Sequence, residues 1–529
     1  MINSNYDFQA EKQRYNFPNI ELYGHTLNRG ISEPDSCKGV ALRDNKSLEQ
    51  TIVNTFFPTT LSKKSALLDI SLPYSGHYYC SGNDVYFDAD VGVAQRLIDD
   101  QHPNLIEMQL NLIKHNALLR RESITNDVLI SRVESNIKTP QDVSELVAKT
   151  ASKAFGGKSY KSYMSSSGAL AVEAGMKIAC RITHHKLIEN YGYEFESYLM
   201  KDFGINTNTT LTHPEDKLPL YEDYPFFFIA MKGAFHGRSL GALTLTHFRP
   251  VQKRGFQGTT KVKHIKFNGD LKELRNIIDS RTLSEIYDAG ESVATNVKNG
   301  RIPKELVASV VIEPFQGEAG YIIASKQWLS GLGEICKKNN ILLFSDEIQS
   351  FCRTGKMFAS EHYNIQPDII TISKAAAMGI TLADARFAEA MSKGWHSSTW
   401  GGGKILENNL SWTVINTYLN YRDPVFNNNT YMENQNIKAD YIQQVFGRLA
   451  DKYPRTLLDF HGLGGMWRFK VPDRDEFCVV ALKNGLKLLS VGVTQETSAV
   501  RAIFLADVLT KEVDTFGRLL EKTIIDIEK

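Results

Sequence analysis

Asp346 and Lys374 are the two residues on which chemistry can be built. Asp346 lies just past the apolar run Ile341-Leu342-Leu343-Phe344, which reads as a fully buried strand. A second run, Asp368-Ile369-Ile370-Thr371-Ile372-Ser373, delivers Lys374. In an open parallel sheet, ligands bind beyond the carboxyl ends of the strands, so both side chains are predicted to face one crevice. An aspartate near a lysine is commonly an ordinary salt bridge. Both residues ending buried strands of one sheet is a much less usual arrangement. A lysine able to form a Schiff base, with a carboxylate for a protonated ring nitrogen, is what pyridoxal phosphate requires.

The elements that must position this pair can be read along the chain. Phe226-Phe227-Phe228-Ile229-Ala230-Met231 is predicted as another buried strand, opening into Lys232-Gly233-Ala234-Phe235-His236-Gly237-Arg238-Ser239. Phe235 at that strand end is placed to stack on a flat ring, with His236 beside it. Arg238 carries a guanidinium fork, suited to a substrate carboxylate or to a structural ion pair. A further strand, 307–312, ends in Glu313-Pro314-Phe315-Gln316-Gly317-Glu318-Ala319-Gly320. Ser165-Ser166-Ser167-Gly168-Ala169 precedes a predicted helix running on through Ile178, whose first amides can hold a phosphate. Helices are also predicted over 105–119, just after Pro140, and over 410–421 and 439–449, with a turn at Phe155-Gly156-Gly157. Residues 184–224 read as a polar surface insertion, and 268–304 as a helical and loop connection.

With 529 residues, the chain is long enough for a large core and several domains. Hydrophobic content of 42% and charged content of 23% are those of an ordinary globular protein. A net charge of +1 gives no electrostatic case for nucleic acid or an anionic membrane as partner. The six cysteines, at 37, 80, 180, 336, 352 and 478, show no CxxC spacing and suggest reduced thiols and no metal site. No secretory signal is visible at the amino terminus, and no apolar run has the length of a membrane helix, so a cytoplasmic location is expected.

The stretch DEIQSFCRTGKMFASEHYNIQPDIITISK resembles the signature of the class III, or omega-type, aminotransferases. The resemblance runs over roughly residues 85–515. It implies an α/β fold of type I, with a large domain on a mostly parallel sheet and a smaller α+β domain. The expected division is an extension over 1–75, part of the small domain over 76–155, the large cofactor domain over 156–404, and the rest of the small domain over 405–529. It further implies pyridoxal phosphate as cofactor, Lys374 as its Schiff-base lysine, Asp346 as partner of the pyridine nitrogen, and Gln349 as contact to the ring hydroxyl. Gly168 and Ala169 match the phosphate segment, although most of the family has Gly-Thr there. Phe235 and His236 match the G-A-F-H-G-R motif, and Arg238 the substrate-binding arginine of the lysine and 4-aminobutyrate enzymes.

Glu318 matches an acidic residue that pairs with a carboxylate-binding arginine and moves aside for the second substrate. Arg501, in Val500-Arg501-Ala502-Ile503-Phe504, matches that arginine, although the family's following prolines are missing. Thr399, in Ser398-Thr399-Trp400-Gly401-Gly402, matches a threonine that reaches the cofactor phosphate of a neighbouring subunit, which implies a homodimer with shared active sites. The segments GALAVE and STWGG resemble L-lysine 6-aminotransferases, whereas Ala375-Ala376-Ala377-Met378 departs from that subgroup. The implied partners are an amine and a 2-oxo acid, with lysine and 2-oxoglutarate foremost. 4-Aminobutyrate, ornithine and diaminobutyrate remain alternative donors, and an aminomutase, a racemase or a non-catalytic relative are alternative outcomes of the same scaffold.

Overall fold

The computed structural model describes residues 20–22, 25–27, 76–81, 84–115, 117, 136–202, 226–279, 291–299, 301, 306–391, 395–397, 402–492, 494 and 496–529. Its centre is a seven-stranded sheet whose strands, in chain order, are β1 (Tyr160–Ser165), β2 (Phe226–Met231), β3 (Lys261–Ile265), β4 (Leu306–Ile312), β5 (Leu342–Asp346), β6 (Ile369–Ile372) and β7 (Gly379–Asp384). They lie in the order β1-β7-β6-β5-β4-β2-β3. β6, β5, β4, β2 and β3 run parallel, while β7 is antiparallel to both β6 and β1. The fold is therefore α/β with a mixed, mostly parallel sheet.

The apolar runs are long because both faces of the sheet are covered. Phe226, Phe228 and Ala230 pack on one face with Val172, Met176 and Ile182 of the helix Gly168–Asp202. Phe227, Ile229 and Met231 pack on the other with Trp328, Leu329 and Leu332 of the helix Lys326–Lys338. The helix Gly168–Asp202 also corrects one expectation. The polar stretch from 184 continues that helix as far as Asp202, because no proline interrupts it, and the remainder of the expected insertion lies outside the described residues.

A four-stranded sheet carries Arg501. Its strand Ala499–Ile503 pairs antiparallel with Met466–Lys470, which sets Arg501 opposite Arg468. Asp459–Leu463 and Met466–Lys470 form a hairpin. The strands Tyr78–Ser81 and Asp84–Asp88 join a separate sheet with Leu486–Lys487, so segments far apart in sequence share one layer. The helix after Pro140 spans Pro140–Ala154, opened by a capping box between Thr139 and Asp142. Among the described residues no helix is long and apolar enough to cross a membrane, and Cys180, Cys336 and Cys352 are free thiols.

Close helix–sheet approach at the site side of the sheet depends on Gly175. A Cβ there would lie 2.5 Å from Cζ of Phe344, a fully buried side chain of β5. Gly175→Ala is expected to destabilise the protein by about 1–3 kcal/mol through overpacking, despite the better helix propensity of alanine. Chemical denaturation measures the loss.

Candidate functional site

Parallel pairing puts the ends of β2, β4, β5 and β6 on one edge, and each end contributes a side chain. Asp346 at the end of β5 lies opposite Thr371 of β6. Its Oδ1 accepts from the Thr371 hydroxyl at 3.1 Å and from the Ile348 amide at 3.1 Å. Its Oδ2 lies 2.8 Å from Nδ1 of His236, which follows β2. His236 is fully buried, and its Nε2 has no described partner. Burial alone would pull the imidazole down. The hydrogen bond and charge of Asp346, with Glu313 behind, more than offset it, and His236 titrates above its ordinary value. His236 therefore acts on Asp346, while the half-buried Phe235 ring is the group left for stacking. Arg238 is exposed, its guanidinium carbon 5.8 Å over the Phe235 ring.

Glu313, after β4, was quoted only as part of a motif, and its position is more consequential. Its Oε1 accepts from the Phe235 amide at 2.8 Å and its Oε2 from the Gly317 amide at 3.1 Å. It thereby staples the Phe235 segment to the loop carrying Glu318. Gln349 lies across that loop. A Cβ at Gly317 would collide with its amide oxygen, and its Nε2 is buried without a described partner. At the helix start, Leu170 and Ala171 amides reach the Ser167 hydroxyl and carbonyl, which leaves the Gly168 and Ala169 amides for an external anion. Gly168 packs tightly on Ile348 and Ser373, and Ala169 on Gly237.

Lys374 has φ +45 and its Nζ donates to the Val93 carbonyl at 3.2 Å. Burial first, then the charges of Arg501 and Arg353, lower it to about 8 against the opposing pull of Glu318 and Asp90. Arg501 is fully buried. Its Nη1 is 3.0 Å from Glu318 Oε1, and its Nη2 and Nε lie 2.7 and 3.1 Å from Asp90 Oδ1. Against their burial, Arg501 holds both carboxylates below their ordinary range, helped by Lys374 at Glu318 and Lys487 at Asp90. Asp90 was missed from sequence. The signal available was an acidic residue two positions before Gly92. Thr399 lies outside the described residues.

A family model described as aminotransferase class-III matches residues 85–520. The putrescine aminotransferase of Pectobacterium atrosepticum is 30% identical over 246 residues, 45% of this chain and 47% of that protein. The acetylornithine aminotransferase of Archaeoglobus fulgidus is 30% identical over 264 residues, 49% and 59% respectively. The matches thus span about half the length of these curated relatives. Among solved structures, the lysine aminotransferase from M. tuberculosis superposes with a TM-score of 0.64 at 20% identity, covering 91% of this chain and 99% of that one. The ornithine aminotransferase from Toxoplasma gondii gives 0.65 at 17% identity, covering 92% and 96%. At such identities the likeness concerns the fold.

Glu313 offers a test of this electrostatic arrangement. Burial, with Asp346 adding, pushes its carboxyl from 4.5 up to about 7, against His236 and the two amides. The folded state thus keeps a proton that the unfolded chain has lost above 4.5. That contribution to stability is complete below 4.5 and disappears as pH rises through about 7. Relative to Glu313→Gln, the wild type is expected to lose up to about 3 kcal/mol across that window. Denaturation titrations at a series of pH values measure the difference.

Proposed function

Because the chain belongs to the class-III aminotransferases, enzymes that use pyridoxal phosphate, we propose that it moves the terminal amino group of L-lysine to 2-oxoglutarate, giving an aldehyde and L-glutamate. The observation that carries this reading is the Arg501–Glu318 ion pair beside Lys374, a carboxylate-binding group kept covered by a side chain that can leave. The donor rests on the resemblance of GALAVE and STWGG to lysine enzymes, and the lysine aminotransferase of M. tuberculosis is among the structural neighbours. Putrescine and acetylornithine, named for two relatives, point to other amine donors as the alternative.

The residues present fit the cofactor. The buried Gln349 Nε2 lacks a partner among the described residues, Asp346 ends a strand on the shared edge, and Gly317 leaves room that any Cβ would fill. The Gly168 and Ala169 amides would hold the phosphate, Phe235 would cover the ring, Gln349 would donate to its hydroxyl, and Asp346 would face its nitrogen. When bound, the cofactor supplies a carbonyl for the amine and a ring that accepts electrons from the amine-bearing carbon.

The chain's own contribution is to place charge and protons. His236, Thr371 and Ile348 all donate to the Asp346 side chain and fix its orientation. Lys374, titrating at about 8, is close enough to neutrality near physiological pH to take a proton from the substrate carbon and return it. For the first substrate Glu318 keeps Arg501 neutralised. For the 2-oxo acid Glu318 withdraws, and Arg501 binds the carboxylate with two N–H groups while Asp90 holds the guanidinium from its other side. We further assign the protein to homodimers with shared sites, on the Thr399 match, to the cytoplasm, and to the domain division given above.

Adding L-lysine alone to the cofactor-loaded protein should change the visible absorbance, and 2-oxoglutarate should restore it. Absence of the change with lysine, and its presence with putrescine, ornithine or 4-aminobutyrate, would replace the donor. Lys374→Ala should lower turnover by at least about 10²–10⁴-fold. Asp346→Asn should do nearly as much harm, whereas near-normal turnover in that variant would refute the mechanism.

A further inference from the structure

Val91, Gly92, Val93 and Ala94 have φ of 42, 66, 60 and 61, a full turn of left-handed backbone that L residues avoid. The turn is closed by Ala94 N to Asp90 O at 2.9 Å and Gln95 N to Val91 O at 3.1 Å, and by the Asp90 side chain on the Val93 amide at 3.1 Å. Three cations converge on it. Arg501 holds Asp90, Lys374 donates to the Val93 carbonyl at 3.2 Å, and Arg353 Nη2 donates to the adjoining Ala94 carbonyl at 2.6 Å.

Arg353 is the least expected of the three. It is fully buried, no described carboxylate pairs with it, and its Nε and Nη1 have no described partner. Burying such a charge is costly, so an apolar side chain would serve a purely structural purpose better. Its backbone is anchored independently, since the Gly465 amide donates to the Arg353 carbonyl at 2.8 Å and the Phe504 amide to that of Gly465. Arg353 thus reaches the turn from the stretch that follows Asp346, and its place is fixed by the sheet that carries Arg501.

We propose that the Val93 carbonyl is the dock of the Lys374 amine whenever that amine is free to carry a proton, and that Arg353, through Ala94, is the positioning residue that holds the dock. The inference rests on the reading of Lys374 as the cofactor lysine. The dock lets the amine wait within reach of the site without wandering among rotamers. Arg353 adds a second positive charge, besides Arg501, on the side of Lys374, while Glu318 and Asp90 oppose it.

The test uses the full-length protein with pyridoxal phosphate, reduced with borohydride over a series of pH values. Mass spectrometry of the Lys374 peptide reports how much cofactor is fixed there. The wild type sets the reference midpoint. Arg353→Met should raise it by roughly one pH unit, because a neighbouring cation is gone, and Arg353→Lys should restore it. Val93→Pro, at an exposed side chain, forces φ negative, removes the amide that Asp90 holds and moves the carbonyl. It should slow fixation at least about tenfold above the midpoint, with Arg353 intact and even if Arg353→Met fails to fold. An unchanged midpoint in Arg353→Met, or an unchanged rate in Val93→Pro, overturns the proposal. Absence of cofactor on Lys374 in the wild type would instead overturn the reading of Lys374 itself.

Discussion

A carboxylate sealed inside the protein at the end of a strand must be compensated, and much of the site follows from that demand. The Asp346 side chain is 3% exposed, where an unpaired charge is prohibitively costly. Three donors from three segments meet it, and each brings its segment into register. Thr371 ties β6 to β5, Ile348 fixes the turn after β5, and His236 fixes the chain after β2. His236 is in turn held by its own amide on the Thr246 hydroxyl, which also bonds the Gly237 carbonyl. The next residue, Glu347, solves the same problem without a cation, taking hydrogens from Ser350, Ala359 and Ser360. Two successive buried carboxylates thereby lock the loop on which Gln349 sits.

The other end of the site has the opposite sign. Around Lys374 stand Arg501 and Arg353, and among the described residues Asp90 and Glu318 oppose them. Arg501 belongs to both regimes, since its two carboxylates raise its own basicity while its charge depresses that of the lysine. Of the two carboxylates, Asp90 is 2% exposed and Glu318 23%, so Glu318 is the one with room to move. Its backbone is held, with the Gly492 amide on the Glu318 carbonyl and Arg468 on the Gly320 carbonyl. A side chain can therefore swing while the loop stays. That asymmetry supports the exchange of one acidic substrate group for Glu318.

The strands were legible because a sheet covered on both faces leaves no polar positions to blur the pattern. Phe226–Met231 coincides with β2, and the runs before Asp346 and Lys374 coincide with β5 and β6 to within a residue or two. The edge holding Asp346 and Lys374 followed from those runs. The partners of Arg501 and Arg353 did not. Asp90 lies 411 residues from Arg501, and Ala94 lies 259 from Arg353. Nothing local in sequence marks such pairings, least of all one made by a backbone carbonyl in a left-handed turn. The helical run to Asp202 was obscured by composition, since a polar helix carries no apolar stripe to announce it.

Departures from the family pattern fall where the backbone, not the side chain, does the holding. At Ala169 the lost hydroxyl leaves the helix amides untouched, and the methyl fills the space against Gly237. Ala319 is buried at 3% in a loop whose geometry is set at Gly317 and at Gly320, which has φ +124 and abuts the Thr497 carbonyl. Ala377 takes φ +57 after the turn that begins at Lys374, a left-handed position where glycine is the less strained choice. Its amide still closes that turn on the Lys374 carbonyl at 2.8 Å. Beyond it, Gly379 lies so close to the Ser167 carbonyl that no side chain fits. The segment at Ser167 and the segment after Lys374 are therefore pressed together at a glycine. At this site backbone hydrogen bonds carry the geometry around the alanines, and buried charge carries it around Asp346 and Arg501.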